Sequence, residues 1–429
     1  MNKEVVVIGG GLAGVEASYQ LAKRGIKVKL YEMRPHIDAK AHHTDKLAEL
    51  VCSNSLKSNR LDNASGLLKE EMRRLDSIII KVADEAAIPA GQALAVDRDL
   101  FADKLTKLIK ENPLIEVINE EVKTIDPNQV TIVASGPLTS NDLTKEIVKL
   151  LGAENLYFYD AAAPLILTSS INMDIAYKKS RYDKGSDDYI NCPFTKEEFE
   201  RFYQELVNAK RVELKEFEKE IHFEACMPIE AMAQRGPKTL LFGPLKPVGL
   251  EKDGKRPFAV VQLRQDDKEG NMFNIVGFQT NLLFKEQERV FRLIPGLENA
   301  TFVRYGVMHR NTFICAPLFL NATMQTKKYP NLFFAGQISG VEGYIESSSS
   351  AIVAAINAAR LISNEELVTL PLTTQLGSLL NYIVTASPKH FQPMNSNYGV
   401  MMQANKDRML VYEKSMADLE LWKQKVMNT

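Results

Sequence analysis

The hexapeptide Gly9-Gly10-Gly11-Leu12-Ala13-Gly14 constrains this chain more than any other stretch, because of what flanks it. Before it runs EVVVI, residues 4–8, a short β-branched run suited to a buried parallel strand. After it, Val15, Ser18, Tyr19 and Ala22 recur at helical spacing up to Arg24, and Gly25 supplies a C-terminal cap. Residues 27–31 read as a second strand. This strand–turn–helix–strand unit predicts an α/β fold, a Rossmann-type domain with a parallel sheet. Within the turn, Gly9 permits the tight bend, Gly11 lets the backbone approach a pyrophosphate, and Gly14 lets the helix lie close on the strand. The helix N-terminus offers unpaired N–H groups and a partial positive charge to phosphates. Glu32 ends the second strand about 20 residues on, where an acid meets a ribose hydroxyl. Gly9 to Gly14 and Glu32 are therefore expected to bind a dinucleotide.

At 429 residues the chain has room for two or three structural units. Residues 1–164 are expected to begin the dinucleotide-binding domain. Residues 165–325 change character, with Arg- and aromatic-rich runs and hairpin-like stretches, and read as a smaller α+β insertion. Residues 326–429 return to a buried strand (NLFFA) and long helices, and are expected to complete the first domain. A net charge of −1, from 53 Lys+Arg against 54 Asp+Glu, neither advertises nor excludes a nucleic-acid partner, since a local basic surface suffices. The sequence suggests no secretory leader and no bilayer span, so a cytoplasmic protein with no membrane association is expected. The four cysteines, Cys52, Cys192, Cys226 and Cys315, form no CxxC pair, so neither a metal cage nor a disulfide scaffold is expected.

Two further turns narrow the dinucleotide. Val133-Ala134-Ser135-Gly136-Pro137 resembles a strand–turn common in FAD proteins. Ala335, Gly336 and Gln337, followed by Gly343, resemble their late motif, where a helix N-terminus approaches the flavin. Together these favour FAD. Among the cysteines, Cys52 lies in a polar loop of small residues and Cys226 is followed by Met227 and the stiffening Pro228. Either is a candidate nucleophile on chemistry alone. Cys192 and Cys315 read as packing residues. A dense run of Arg235, Lys238, Lys246, Arg264, Arg289, Arg292, Arg304, Tyr305, His309 and Arg310 suits a phosphate-rich ligand with unstacked bases. Taken on its own it reads first as a charged face balanced by nearby Glu and Asp.

Long blocks of the chain resemble one family, the folate- and FAD-dependent RNA (uracil-C5) methyltransferases. They include GGGLAGVEA at the start, LVCSNSLKS around Cys52, AVDRDLFA at 95–102 and RYDKG with YINCPFTKEEF at 181–199. EACMPIEAMAQRGPKTLLFGPLKPVGL, VVQLRQD, NIVGFQTNL, IPGLENATFVRYGVMHRNT, FFAGQISGVEGYIES and FQPMNSNYG continue the likeness. The CMPIE block separates the chain from the larger flavoprotein that modifies the tRNA wobble uridine. The resemblance implies formation of 5-methyluridine in the T-loop of tRNA, or in large-subunit (23S) ribosomal RNA. The carbon would come from 5,10-methylenetetrahydrofolate, and NADPH or NADH would reduce the FAD. It also implies that Cys226 adds to uracil C6 and that Cys52 removes the C5 proton or helps place the base. His309 would stack near the folate, and Tyr344, with Ile345 beside it, would lie close to the flavin. Arg235, Lys238, Lys246, Arg264, Arg304 and Arg310 would meet the RNA. The chain departs from the family in having Ala225, Ala351 and Ala355 where glycine is usual, and a methyl at Ala351 is expected to tighten the flavin-side turn. Two other functions stay compatible with the residues: an FAD/NAD(P)H oxidoreductase acting on a small molecule, and an RNA-binding flavoprotein without transfer chemistry. Oligomeric state is not legible.

Overall fold

The computed structural model describes the chain except residues 1–3, 38–41, 153–156, 162, 184–187, 213–226, 253, 266–269, 271, 307, 389–390, 392, 402–406 and 428–429; for 157–161, 183, 304 and 308–311 only the backbone is described. The N-terminal part runs β1 (Glu4–Ile8), α1 (Leu12–Lys23), β2 (Lys27–Tyr31), β3 (Ser55–Ser58), α2 (Ala64–Arg74), α3 (Ile78–Glu85), β4 (Ala87–Ile88), β5 (Ala93–Val96), α4 (Arg98–Lys110), β6 (Ile115–Ile118), β7 (Thr131–Val133) and α5 (Asn141–Leu151). Asn63, Ser77, Asp97 and Ser140 start α2 to α5 by accepting an N–H from the first turn of each. A second group follows: β8 (Tyr157–Ala161), β9 (Leu165–Leu167), β10 (Tyr177–Lys178), β11 (Tyr189–Phe194), α6 (Lys196–Asn208), α7 (Ile229–Gln234), α8 (Pro237–Phe242), β12 (Ala259–Gln265), β13 (Met272–Ile275), α9 (Phe284–Phe291), β14 (Phe302–Arg304) and β15 (Met308–Thr312). The chain ends with α10 (Ala316–Phe319), β16 (Leu332–Phe334), α11 (Tyr344–Ile362), α12 (Gln375–Thr385) and α13 (Arg408–Met427).

Strands β16-β7-β1-β2-β6 form one parallel sheet, in that order. The α/β, Rossmann-type reading therefore holds, and β16 completes the sheet from 200 residues downstream of its partner β7. Helix α1 lies against α11 and the sheet, and Val5, Val7, Val15, Leu21, Phe333 and Ile352 share the larger core. The inserted unit has its own sheet, β10-β11-β12-β13-β9-β14, antiparallel at each pairing, and its own core from Ile166 to Ala300. Strands β8 and β15 pair as a two-stranded link between the units. Ile314, Ala316, Leu320 and Met324, which the sequence reading put in the insertion, pack into the larger core instead. They are apolar and follow β15, so they bury on the nearer sheet. Ala351 also differs from expectation. It sits two turns inside α11, fully buried in the larger core, away from the helix N-terminus where the cofactor-side turn lies.

Glu71 ties the C-terminal helices to α2. Its buried carboxylate accepts the N–H of Gln375 at 2.6 Å and of Leu376 at 2.8 Å, and the Ser415 hydroxyl at 2.7 Å. Burial pushes its pKa up to about 7, and these three donors offset only part of that rise. The folded chain thus holds a proton that the unfolded chain releases between its ordinary 4.5 and about 7. This contribution to stability is largest at acid pH and is lost as pH rises through that window, by on the order of 3 kcal/mol. Glu71→Gln is expected to remove that slope, so that the parent's advantage over the variant in urea unfolding shrinks between pH 5 and pH 8. An advantage constant with pH would refute it.

Candidate cofactor and thiol site

A cleft runs along the C-terminal ends of the parallel strands, the side on which such sheets take ligands. It encloses about 1270 Å³, its open mouth included. Residues 8–13 after β1, Tyr31 to Arg34 after β2, Glu120 to Val122 after β6, and Ala134 to Ser140 after β7 line it, with Gly336, Gln337, Tyr344 and Ser347. The glycine turn is shaped by close approach. Gly9 has φ +108°, and a Cβ there would lie 2.6 Å from the Ala134 carbonyl oxygen. A Cβ on Gly14 would fall onto the Gly9 carbonyl oxygen. A Cβ on Gly11 would meet no protein atom within 4 Å, so at that point the backbone faces open space. Gly11 is also the N-cap of α1, and no side chain caps that helix. A bare helix N-terminus beside an open glycine is what a pyrophosphate requires, so the residues present fit a dinucleotide.

Glu32 stands beside the turn. Its Oε2 accepts the Gly10 N–H at 2.8 Å, and its Oε1 accepts from the Arg34 N–H and Nε, each at 3.0 Å. Burial opposes its ionisation, but the Arg34 hydrogen bonds and charge, with the Gly10 N–H, outweigh burial and hold the carboxyl below its ordinary value. It is a fixed anion with lone pairs left for a hydroxyl donor. Arg34 itself is held by Glu49 Oε2 at 3.1 Å and the Thr44 carbonyl at 3.0 Å. The sequence reading passed over Arg34. The signal was an arginine two residues past the acid that closes β2, at a point where a buried carboxylate needs a cation.

Of the expected cofactor residues, Gly9, Gly10, Gly11, Leu12, Ala13, Glu32, Gly336, Gln337 and Tyr344 line this one cleft. Gly14, Ala335, Gly343 and Ile345 do not. Gly14 packs on Gly9, Ala335 and Ile345 are in the core, and Gly343 is the N-cap of α11, against Glu346 and Lys57. Gly336, with φ +78°, lets the β16 turn meet α1, since a Cβ there would lie 2.8 Å from the Ala13 methyl. Below that turn Glu346 is fully buried. Burial opposes its charge, but the Lys57 ammonium at 2.7 Å and the Ser396 N–H and hydroxyl keep the carboxyl below its ordinary value.

Cys52 is half-buried on the wall of the same cleft. The N–H groups of Cys52 and Ser53 donate to the Tyr344 phenol oxygen at 2.8 and 3.2 Å. Burial, then the Cys52 thiol nearby, raises the phenol pKa, so Tyr344 stays protonated at neutral pH. Cys226 and the side chains of His309, Arg304 and Arg310 lie outside the described residues; the backbone of His309 pairs with Asp160 across β15 and β8. Cys192 is fully buried and burial pushes its thiol up; Cys315 is half-buried.

The basic residues separate into groups. Arg235 and Lys238 are exposed on α7 and α8 and Lys246 is half-buried after them, and none of the three pairs with a carboxylate among the described residues. Residues 231–250 contain no Asp or Glu, and the Phe242 ring there is 79 % exposed. Arg289 and Arg292 belong to a balanced face, bound to Glu205, Glu286 and Glu288. Arg264 overturns its expected place on an RNA-facing surface. It is only 8 % exposed and bonds to Ser53 and Asn54 beside the thiol. Among the described residues no cluster of His, Cys, Asp and Glu could hold a metal ion, and no helix is long and apolar enough to cross a membrane.

Residues 4–366 match the family described as glucose inhibited division protein A. The chain is 62% identical over 399 residues to the methylenetetrahydrofolate--tRNA-(uracil-5-)-methyltransferase TrmFO of Anoxybacillus flavithermus, covering 92% of each chain. It is 61% identical to the protein so named in Bacillus subtilis, over 94% of this chain and 93% of that one. The counterpart in Acetivibrio thermocellus is 58% identical over 98% of each. Among solved structures, GidA of Aquifex aeolicus superposes with a TM-score of 0.74 at 17% identity, over 99% of this chain and 73% of that one, a likeness of fold.

Proposed function

The chain belongs to the methylenetetrahydrofolate--tRNA-(uracil-5-)-methyltransferases, within the wider glucose inhibited division protein A family, and from that premise we propose that it forms 5-methyluridine in the T-loop of tRNA. The carbon comes from 5,10-methylenetetrahydrofolate and the electrons from NADPH or NADH by way of FAD. The single observation that best supports this is that Cys52 and the phosphate-binding turn share one cleft.

FAD, when bound, supplies the redox chemistry and carries the one-carbon unit. The residues that would hold it are the turn from Gly9 to Ala13 with the N-terminus of α1, Glu32, which could accept from a ribose hydroxyl, and Gly336 and Gln337. Cys226 adds to uracil C6, which places the displaced electron pair on the C4 carbonyl and makes C5 a carbon nucleophile. C5 bonds to the folate-derived methylene carbon; Cys52 then accepts the C5 proton as the bond from that carbon to its carrier nitrogen breaks, and addition of a hydride equivalent to the resulting exocyclic methylene expels the Cys226 thiolate and restores the ring. The uridine has to leave its stack to reach the cleft. Arg235, Lys238 and Lys246, which pair with no carboxylate among the described residues, with Phe242 among them, provide phosphate contacts and an aromatic face on the element that follows Cys226.

The test incubates the purified flavoprotein with unmodified tRNA or large-subunit rRNA, methylene-labelled folate and NADPH. Label is expected in 5-methyluridine of the tRNA T-loop. Label in rRNA alone would move the substrate, and label in neither would end the proposal.

A further inference from the structure

We propose that Arg264, acting with Asn54, is a positioning residue through which the insertion domain holds the Cys52 thiol in the cofactor cleft; the inference rests on the function proposed above. Arg264 lies on β12, inside the insertion sheet beside Tyr189 of β11, and its guanidinium also reaches the loop that carries Cys52. Its Nη2 donates to the Ser53 hydroxyl, and its Nε donates to Asn54 Oδ1 at 3.2 Å. Asn54 is fully buried, and its amide donates to the carbonyls of Gln265 at 2.9 Å and Val96 at 3.2 Å. The Asn54 carbonyl in turn accepts the Val96 N–H at 3.0 Å. From the opposite side Tyr344 accepts the N–H groups of Cys52 and Ser53. Residues 52–54 are thus gripped by α11, by β5 and by the insertion strand β12. These bonds fix the backbone and neighbouring side chains of the segment whose Cys52 lines the cleft.

Burial alone does not call for this chemistry. A junction between two units is filled at lower desolvation cost by apolar side chains. A guanidinium with directional donors instead fixes the position of particular acceptors. Its acceptors include the two residues after the thiol, with the Tyr189 side chain on the neighbouring strand β11 as a further partner. Displacing a reacting group by about 1 Å is enough to cost on the order of 100-fold in rate. Arg264 therefore makes the insertion domain, whose α7 follows Cys226, a determinant of where Cys52 stands.

The experiment measures alkylation of Cys52 by iodoacetamide in the FAD-loaded enzyme, from the mass of its peptide, beside flavin content, kcat and KM for tRNA. In Arg264→Met, Cys52 alkylation is expected to rise about tenfold and kcat to fall roughly 10- to 100-fold, with KM within about threefold and flavin retained. Arg264→Lys is expected to restore part of both. Ser53→Ala, which removes one acceptor and leaves the arginine, shifts both readouts the same way and serves if Arg264→Met does not fold. Alkylation and kcat within about twofold of the parent in a folded Arg264→Met or Ser53→Ala would overturn the proposal. So would a loss in which kcat falls and Cys52 alkylation does not move. A parent enzyme that transfers no methyl group sinks the functional reading, while the alkylation rates still decide whether Arg264 holds the loop.

Discussion

Replacing Cys226 with serine is expected to lower methyl transfer to tRNA by about 10³-fold or more while the protein remains yellow. Attack on uracil C6 needs a soft, readily ionised nucleophile. A serine hydroxyl without a dedicated base supplies neither property. The chain is held a few residues downstream, at the start of α7. The Ile229 N–H donates to the Gln279 carbonyl at 2.8 Å, and the buried Glu230 accepts from the Asn281 N–H at 2.7 Å and the Thr280 hydroxyl at 2.8 Å. The start of α7 is therefore fixed, and an isosteric change at 226 leaves it in place. None of the anchoring residues Ile229, Glu230, Gln279, Thr280 and Asn281 lines the cofactor cleft and the substitution is isosteric, so flavin content is expected to match the parent. Cys192→Ser is the internal comparison. That thiol is fully buried in the insertion core, so its replacement is expected to lower the melting temperature and leave the rate per folded molecule unchanged. The assay is labelled 5-methyluridine per flavin. Retention of more than about a tenth of the parent rate by Cys226→Ser would remove it as nucleophile.

What the sequence disclosed follows from how far each feature reaches along the chain. The β1–α1–β2 unit was legible because its signals are adjacent: a β-branched run, a glycine turn, a helical period and an acid closing β2. The register of β16 on β7 was not, since Leu332–Thr131 pairing spans 200 residues and the local pattern only says "buried strand". Arg264 was misread for a related reason. In AVVQLRQ, alternation puts Val261 and Leu263 on the face of the insertion core and Gln262 and Arg264 on the other. A polar face looks solvent-exposed until a second domain is known to cover it. The same holds for Cys52, whose proximity to Tyr344 joins residues 292 apart.

Gly14 and Gly11 sit three residues apart, and their replacement is expected to fail in opposite ways. In Gly14→Val the first added carbon already overlaps the Gly9 carbonyl oxygen, which is backbone and cannot swing aside. Relief requires α1 to lift from β1. Because α1 packs on α11 and shares the core with Phe333 and Ile352, lifting it opens the centre of the domain. Overpacking of this kind costs about 3 kcal/mol or more against a typical total stability of about 5–15 kcal/mol. Gly14→Val is therefore expected to give little folded protein and no bound flavin. Gly11→Ala meets no protein atom, and at φ −75° the backbone is one that alanine adopts freely. Its apo form is expected to melt within a few degrees of the parent apo form, since loss of glycine at an N-cap costs about 1 kcal/mol or less. Its methyl instead occupies the space that a pyrophosphate needs, so FAD affinity is expected to fall at least about tenfold. Flavin-to-protein ratio, FAD titration and melting of the two apo proteins separate these outcomes. A Gly11→Ala protein that binds FAD as tightly as the parent would mean that the open space beside the α1 N-terminus is not where the phosphates lie.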